Sequence, residues 1–224
     1  MVIIARELLQ YDKDNTNYYI NFPKLYIDRE KDLLKKEMIE KINKDIFEDI
    51  LIFMELIEET HWDINEKGIL MNSLTEFKEG FNFHNVISIA IEYSQIRDFM
   101  DISYIKAYNY DLDLKKEILL QDLFKDEVDF SEILRSHIKE QLKKILSDIY
   151  ISQSFDLHES IVDNICIDSE SIFYFSEDHL VLPFSSFEID SEIMNLIEFK
   201  IAFNSIYPYL SKYAVKKVVH KVIL

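Results

Sequence analysis

The sequence predicts an α+β fold: antiparallel sheets with two main helices, about residues 29–59 and 130–150, packed on one face, and a further helix at the C-terminus. Three observations predict it. β-favouring runs beside turn-like sequence stand in the opening and closing parts of the chain, and apolar residues of the central part recur at a period of two, as half-buried strands require. Two long stretches between them carry apolar residues three and four apart, with neither glycine nor proline. Strand-like and helix-like segments come in blocks instead of strict alternation, which is the α+β order.

The runs VIIARELL and NYYINFPKL flank the polar stretch Asp12–Asn17 and read as a hairpin, with Pro23 ending the second strand. Asp28 is placed to cap a helix starting just after it. From Arg29 to Glu59, the residues Leu34, Met38, Ile39, Ile42, Ile46, Ile50, Phe53 and Ile57 make one apolar stripe. A helix of about 45 Å is expected there. After His61, Trp62 and Gly68 the period changes to two. Phe81, Phe83, Ile87, Ile89, Ile91 and Tyr93 oppose Ser88, Ala90, Glu92 and Ser94, which predicts one strand with a wet face. Strands over Ile69–Phe77 and Ile102–Leu112 are expected beside it in antiparallel order.

Asp129 and Glu132 have capping-box spacing, and Leu134, Ile138, Leu142, Ile145 and Ile149 supply the stripe of a second helix ending near Tyr150. SIFYF from Ser171, HLVLPF from His179 and EFKIAF from Glu198 predict a small antiparallel sheet. In the tail, Val215, Val218, Val219, Val222 and Ile223 have helical spacing, set against the strand preference of β-branched residues; the reading is a helix. The 224 residues fit two α+β domains, 1–98 and 99–224, joined near Asp98, or one compact unit.

Composition narrows the function. Two glycines and three prolines leave no material for a phosphate-cradling loop, which needs positive φ and close backbone approach. A charge of −17 repels nucleic acid and anionic lipid and favours cationic proteins, cationic glycans or divalent ions. That charge is uneven: Lys212, Lys216, Lys217 and Lys221 follow Leu210 with no acid among them, so a basic tail could dock on its own acidic body. The longest charge-free stretch, Gly80–Ile91, is too short to span a bilayer. MVIIARELLQYDKD lacks the basic flank and apolar length of a signal peptide, so the chain as given reads as soluble.

The chemistry-bearing residues are sparse in pattern. Cys166, the only cysteine, sits among apolar residues with no cationic neighbour and reads as a buried structural thiol. No two histidines are four apart; His61, His84, His158 and His179 fall near expected turns and strand ends, and His137 with Glu140 shares a helix face without the further pairs a metal bundle needs. Asp111, Asp113 and Glu117 look like calcium ligands but lack the glycine turn and the remaining oxygens of a calcium loop, and read as a solvated acidic loop. Tyr104, Tyr108 and Tyr110 share one strand face, where they form either core or an aromatic platform for sugar rings. No catalytic, cofactor-binding or metal residue is assigned.

Several segments resemble a known pair of domains. NYYINFPKL (17–25) with Ile42-Asn43 in the long helix resembles the opening domain of unknown function in the extracytoplasmic part of lysozyme-sensing anti-sigma-V factors, and a similar pair precedes the catalytic domain of a peptidoglycan deacetylase. NVISIAIEYS (85–94) is similar to its central strand. NYDLDLKKEILLQDLF (109–124) resembles the start of the second domain, and FYFSEDHLVLPFSSFEID (173–190) with EFKIAFNSI (198–206) its closing strands. The chain departs where relatives carry a glycine-rich segment with a histidine, since Gln95–Asp101 has neither, and where they place glycine after NYD. The resemblance implies a non-enzymatic binding or sensing module of the bacterial cell envelope, extracytoplasmic, whose partner is a cationic protein such as lysozyme or cell-wall glycan, with no cofactor. An accessory to, or latent form of, a glycan hydrolase or deacetylase is the alternative, and a structural spacer the third.

Overall fold

The computed structural model describes residues 2–13, 16–27, 33–61, 71–97, 100–149, 165–185 and 196–219. The expected cap Asp28, the turn residues Trp62 and Gly68, the strand start at Ile69, Asp98, Tyr150, His158 and the tail beyond Val219 with Lys221 lie outside them. The fold is α+β with antiparallel-dominated sheets, and the chain divides into two compact units, Met1–Glu117 and Ile118–Leu224.

In the first unit, β1 (Val2–Lys13) and β2 (Thr16–Ile27) form the expected hairpin. Pro23 does not end β2; it lies opposite Arg6 with four residues still to come. The reason is directional. The nitrogens of Asn21 and Leu25 turn away from β1, toward Thr75 Oγ1 and Asn43 Oδ1, both at 2.8 Å. In a strand the alternate nitrogen between them points the same way, so Pro23 removes a donor only on the side where pairing with the next strand has stopped at Ile20.

Helix α1 (Leu33–His61) carries its stripe inward from Met38 on, with Ile39, Ile42, Ile46, Ile50, Phe53 and Ile57 buried, whereas Leu34 in the first turn is exposed. It connects β2 to β3 (Met71–Phe83), and these two strands pair in parallel over Thr16–Ile20 and Met71–Thr75. A parallel pair needs such a crossover. The remaining pairings are antiparallel, through β4 (Val86–Arg97), β5 (Met100–Asp111) and β6 (Lys116–Glu117), giving a six-stranded sheet in chain order.

The single strand expected from Phe81 to Tyr93 is two strands. His84 and Asn85 stand at φ 51° and 60°, the positive values that a two-residue hairpin turn requires, so β3 ends at Phe83 and β4 begins at Val86. Gly80 sits at the register shift between Glu79 and Phe81, where a bulge is accommodated. The expected wet face is covered at one end: Ser88 and Ala90 are as buried as the isoleucines they alternate with, while Glu92 and Ser94 are half-buried. Because β5 pairs with β4 from Arg97–Met100 to Val86–Asp111, it belongs to the first sheet. The domain join expected near Asp98 therefore falls between Glu117 and Ile118.

In the second unit, a 3-10 turn (Leu120–Leu123) precedes α2 (Phe130–Ile149), whose first turn is capped by Asp129 Oδ1 accepting from the Glu132 nitrogen at 3.1 Å. Leu134, Ile138 and Leu142 are buried as expected. The small sheet is β7 (Tyr174–Ser176), β8 (His179–Phe184) and β9 (Ile197–Ala202), antiparallel in chain order. Helix α2 is tied to it through Gln141, whose amide donates to the Lys200 carbonyl at 3.0 Å and accepts from the Lys200 nitrogen at 3.3 Å. After the short helix α3 (Phe203–Ile206), the tail forms α4 (Lys212–Lys217), so the helical reading of its spacing is right within the described residues. What anchors α4 is burial of Ala214 and Val218 and the Ser211 link to the 3-10 turn, by Ser211 nitrogen to the Leu123 carbonyl and Ser211 Oγ to the Asp122 carbonyl.

Candidate functional site

Among the described residues, two features of the first unit have chemical content. One is a polar cluster where α1 meets β4 and β5. Alternation on β5 sends Tyr104, Lys106, Tyr108 and Tyr110 toward the helix, and the four-residue spacing of Asp45 and Asp49 puts both carboxylates on one helix flank to meet them. Asp49 accepts from Lys106 Nζ and, at 2.8 Å, from the Tyr108 hydroxyl; Asp45 accepts from Tyr110 at 3.0 Å. Tyr108 has one proton, committed to Asp49, so the Tyr93 hydroxyl 3.3 Å away donates to Tyr108. Tyr93 stacks on Tyr104 with centroids 5.0 Å apart, and Phe53 of α1 meets Tyr93 edge-on at 5.1 Å.

Burial pushes all four phenols up. Tyr104 reaches about 12, with Asp49 adding to the desolvation. Tyr93 and Tyr108 go higher through burial first, and Tyr110 rises through burial and its bond to Asp45. A phenol held neutral beside a carboxylate is a donor fixed in place. The cluster clamps α1 to the sheet, so the tyrosine face is core and not a platform for sugar rings.

The other feature is a cavity of about 490 Å³ between the end of β2 and the start of α1. Leu25, Tyr26, Ile27, Leu33 and Ile39 give it apolar walls. Its polar lining is Asn43, Lys36 and Glu40. The Asn43 amide donates to the Leu25 carbonyl at 2.9 Å and accepts from the Leu25 nitrogen, standing in for an absent strand. Lys36 and Glu40 pair with each other at 3.8 Å.

The remaining candidates are dispersed. Cys166 is exposed, not buried, because Ile165 and Ile167 alternate inward and the residue between them faces out. Asp111 is buried and accepts from the Asp113 and Leu114 nitrogens at 2.8 and 2.9 Å, closing a turn in which Lys115 stands at φ 55°. Asp113 engages Asn85 and Lys35, and Glu117 is exposed on β6. Among the described residues no three His, Cys, Asp or Glu side chains converge as a metal site. His84 occupies the β3–β4 turn, His179 pairs with Asp178 at 2.8 Å, and His137 with Glu140 stays on α2; the His61 side chain is outside the described set. No helix among the described residues is long and apolar enough to cross a membrane. Sequence reasoning missed Asp45 and Asp49, whose signal was acids four apart opposite alternating tyrosines. It also missed the cavity, which has no local signal because its walls come from two elements.

Residues 121–204 match the family model described as a protein of unknown function, DUF3298. A DUF3298 family member from Bacteroides fragilis is similar in structure over 96% of this chain and 94% of its own, with a TM-score of 0.55 and 18% identity. A DUF3298 protein from Pseudomonas aeruginosa aligns over 95% and 94% at 10% identity with a TM-score of 0.49. No curated protein matches. At these identities the first likeness is one of fold. The family match and the fold likeness say nothing of anti-sigma-V factors or deacetylases, so that resemblance stays a reading from the residues.

Proposed function

We propose that a chain with this fold and this acidic surface is a non-enzymatic binding or sensing module of the bacterial cell envelope, whose partner is a basic protein such as lysozyme or, failing that, cell-wall glycan. The observation that carries the reading is the cavity between β2 and α1. Its walls are apolar, its amide is spent on the backbone of Leu25, and its two charged groups pair with each other at 3.8 Å, so what it chiefly offers is contact area. Exposed Tyr26 and Leu33 at its mouth are the aromatic and aliphatic anchors that protein contacts use. The charge of −17 supports a cationic partner by accelerating encounter.

Lysozyme binding measured at low and at physiological salt tests this. Binding is expected at low salt and weakens as the field is screened, and Tyr26→Ala lowers affinity by about tenfold. No binding in either condition removes lysozyme, and sedimentation with purified peptidoglycan then decides whether glycan replaces it. Binding that Tyr26→Ala leaves untouched would take the cavity out of the reading.

A further inference from the structure

Strand β1 stands at the end of the sheet order, paired with β2 on one side. Among the described residues no strand pairs with its other side. The pairing with β2 runs from Val2–Ile27 to Lys13–Thr16 without a bulge. The direction of each backbone group of β1 is set by β2. The Asn21 and Leu25 nitrogens of β2 turn away from β1, so its even residues bond to β1, and their partners are Ile3, Ala5, Glu7, Leu9 and Tyr11. The N–H and C=O groups of Ile4, Arg6, Leu8, Gln10 and Asp12 therefore face outward.

Sheet edges of this length are ordinarily blunted by proline, a bulge or a central free lysine. Strand β1 has neither proline nor bulge, and its two basic residues are held by its own unit: Arg6 at 3.5 Å from Glu76, Lys13 at 2.7 Å from Glu58. It carries Arg6 and Lys13 against Glu7 and Asp12, so it is locally neutral on a chain of −17. Apolar surface continues from it onto α1. Phe47, Leu51 and Glu58 share one helix flank, and because Glu58 reaches Lys13 that flank looks toward β1. Phe47 and Leu51 are 43% and 42% exposed, and Ile3, Leu8 and Leu9 are exposed on the strand itself.

We propose that β1 pairs antiparallel with β1 of a second copy across a two-fold axis, joining two sheets edge to edge. Outward-facing residues must oppose outward-facing residues, so even positions face even positions. A register centred on Arg6 or on Glu7 sets like charges directly opposite each other. The register centred on Leu9 sets Leu9 against Leu9 and Leu8 against Gln10. It also places Arg6 directly opposite Asp12 of the second copy and Glu7 diagonal to Lys13, each twice by symmetry. This complementarity selects a second copy as the occupant over an extended segment of another protein.

Light scattering on the full chain gives the first test, with a particle of twice 26.8 kDa expected. Asp12→Arg places two arginines face to face and raises the dimer dissociation constant about tenfold or more; adding Arg6→Asp restores it. Leu9 is on the axis at a closely spaced, non-hydrogen-bonded pair, so Leu9→Cys in a Cys166→Ser background forms a disulfide-linked dimer under mild oxidation, whereas Leu8→Cys does not. Circular dichroism and melting confirm that each variant is folded. A chain that stays monomeric at about 100 µM overturns the proposal, whether or not it takes up an extended peptide. So does a dimer indifferent to Asp12→Arg, or one that Leu8→Cys links as readily as Leu9→Cys.

Discussion

At the scale of single residues, the groups that matter most are polar side chains that act as pieces of backbone or as clamps. Thr75 Oγ1 accepts from the Asn21 nitrogen and donates to its carbonyl, and Asn43 does the same for Leu25, so β2 keeps its partners after it has left β3. The tyrosine cluster makes the pH dependence specific. Each phenol is raised above its ordinary value of 10, so the folded state holds its proton more tightly than the unfolded state. Stability from this source is complete below pH 10. Above it the unfolded phenols ionise first, and stability falls as pH rises through the folded values, by up to about 1.4 kcal/mol per pH unit for each fully buried phenol. Ultraviolet titration should therefore show a group of the 13 tyrosines ionising only with alkaline unfolding. A smooth titration of all of them near pH 10 in the folded protein would refute the clamp. None of this was written plainly in the residues: alternation placed Tyr104, Tyr108 and Tyr110 together but could not say which partner their hydroxyls would find.

At the scale of elements, the hairpin, both long helices, the small sheet and the tail helix were legible because each carries an uninterrupted period or a recognisable cap. The errors came where a period runs unbroken through a boundary. Phe81, Phe83, Ile87 and Ile89 share one parity in the sequence, yet Phe83 pairs with Val86 and Phe81 with Ser88, so the turn at His84–Asn85 moves the odd residues to the other face, and neither turn residue is the glycine that usually announces positive φ. Pro23 misled for the opposite reason, since a general rule about strand interiors does not know which side of the strand is vacant. The link between α1 and β2 is testable at this scale. Asn43→Ala leaves the Leu25 N–H and C=O without their side-chain partners and should cost about 2 kcal/mol, seen as a lower urea midpoint at unchanged slope. An unchanged midpoint would mean that β2 does not need Asn43 to hold its course.

At the scale of the whole molecule, the governing quantity is a charge of −17 on 224 residues. Its self-repulsion opposes compaction, so the melting temperature should rise between 0.01 M and 0.1 M salt as the screening length shrinks from about 30 Å to about 10 Å. A fall over that range would show that exposed pairs such as Arg6–Glu76 and Lys13–Glu58 contribute more than the net field. The sequence by itself determined the fold class, the acidic character, the helices and most strands, because periodicity and charge are local or additive and survive without knowledge of partners. Only the tertiary structure decided that β2 and β3 run parallel around α1, that the first unit extends to Glu117, that the tyrosine face is core, that Cys166 is exposed, that a cavity exists, and that among the described residues no strand pairs with the outer side of β1. Those depend on which surfaces meet, and meeting is a property of pairs of distant segments that no single stretch of residues encodes.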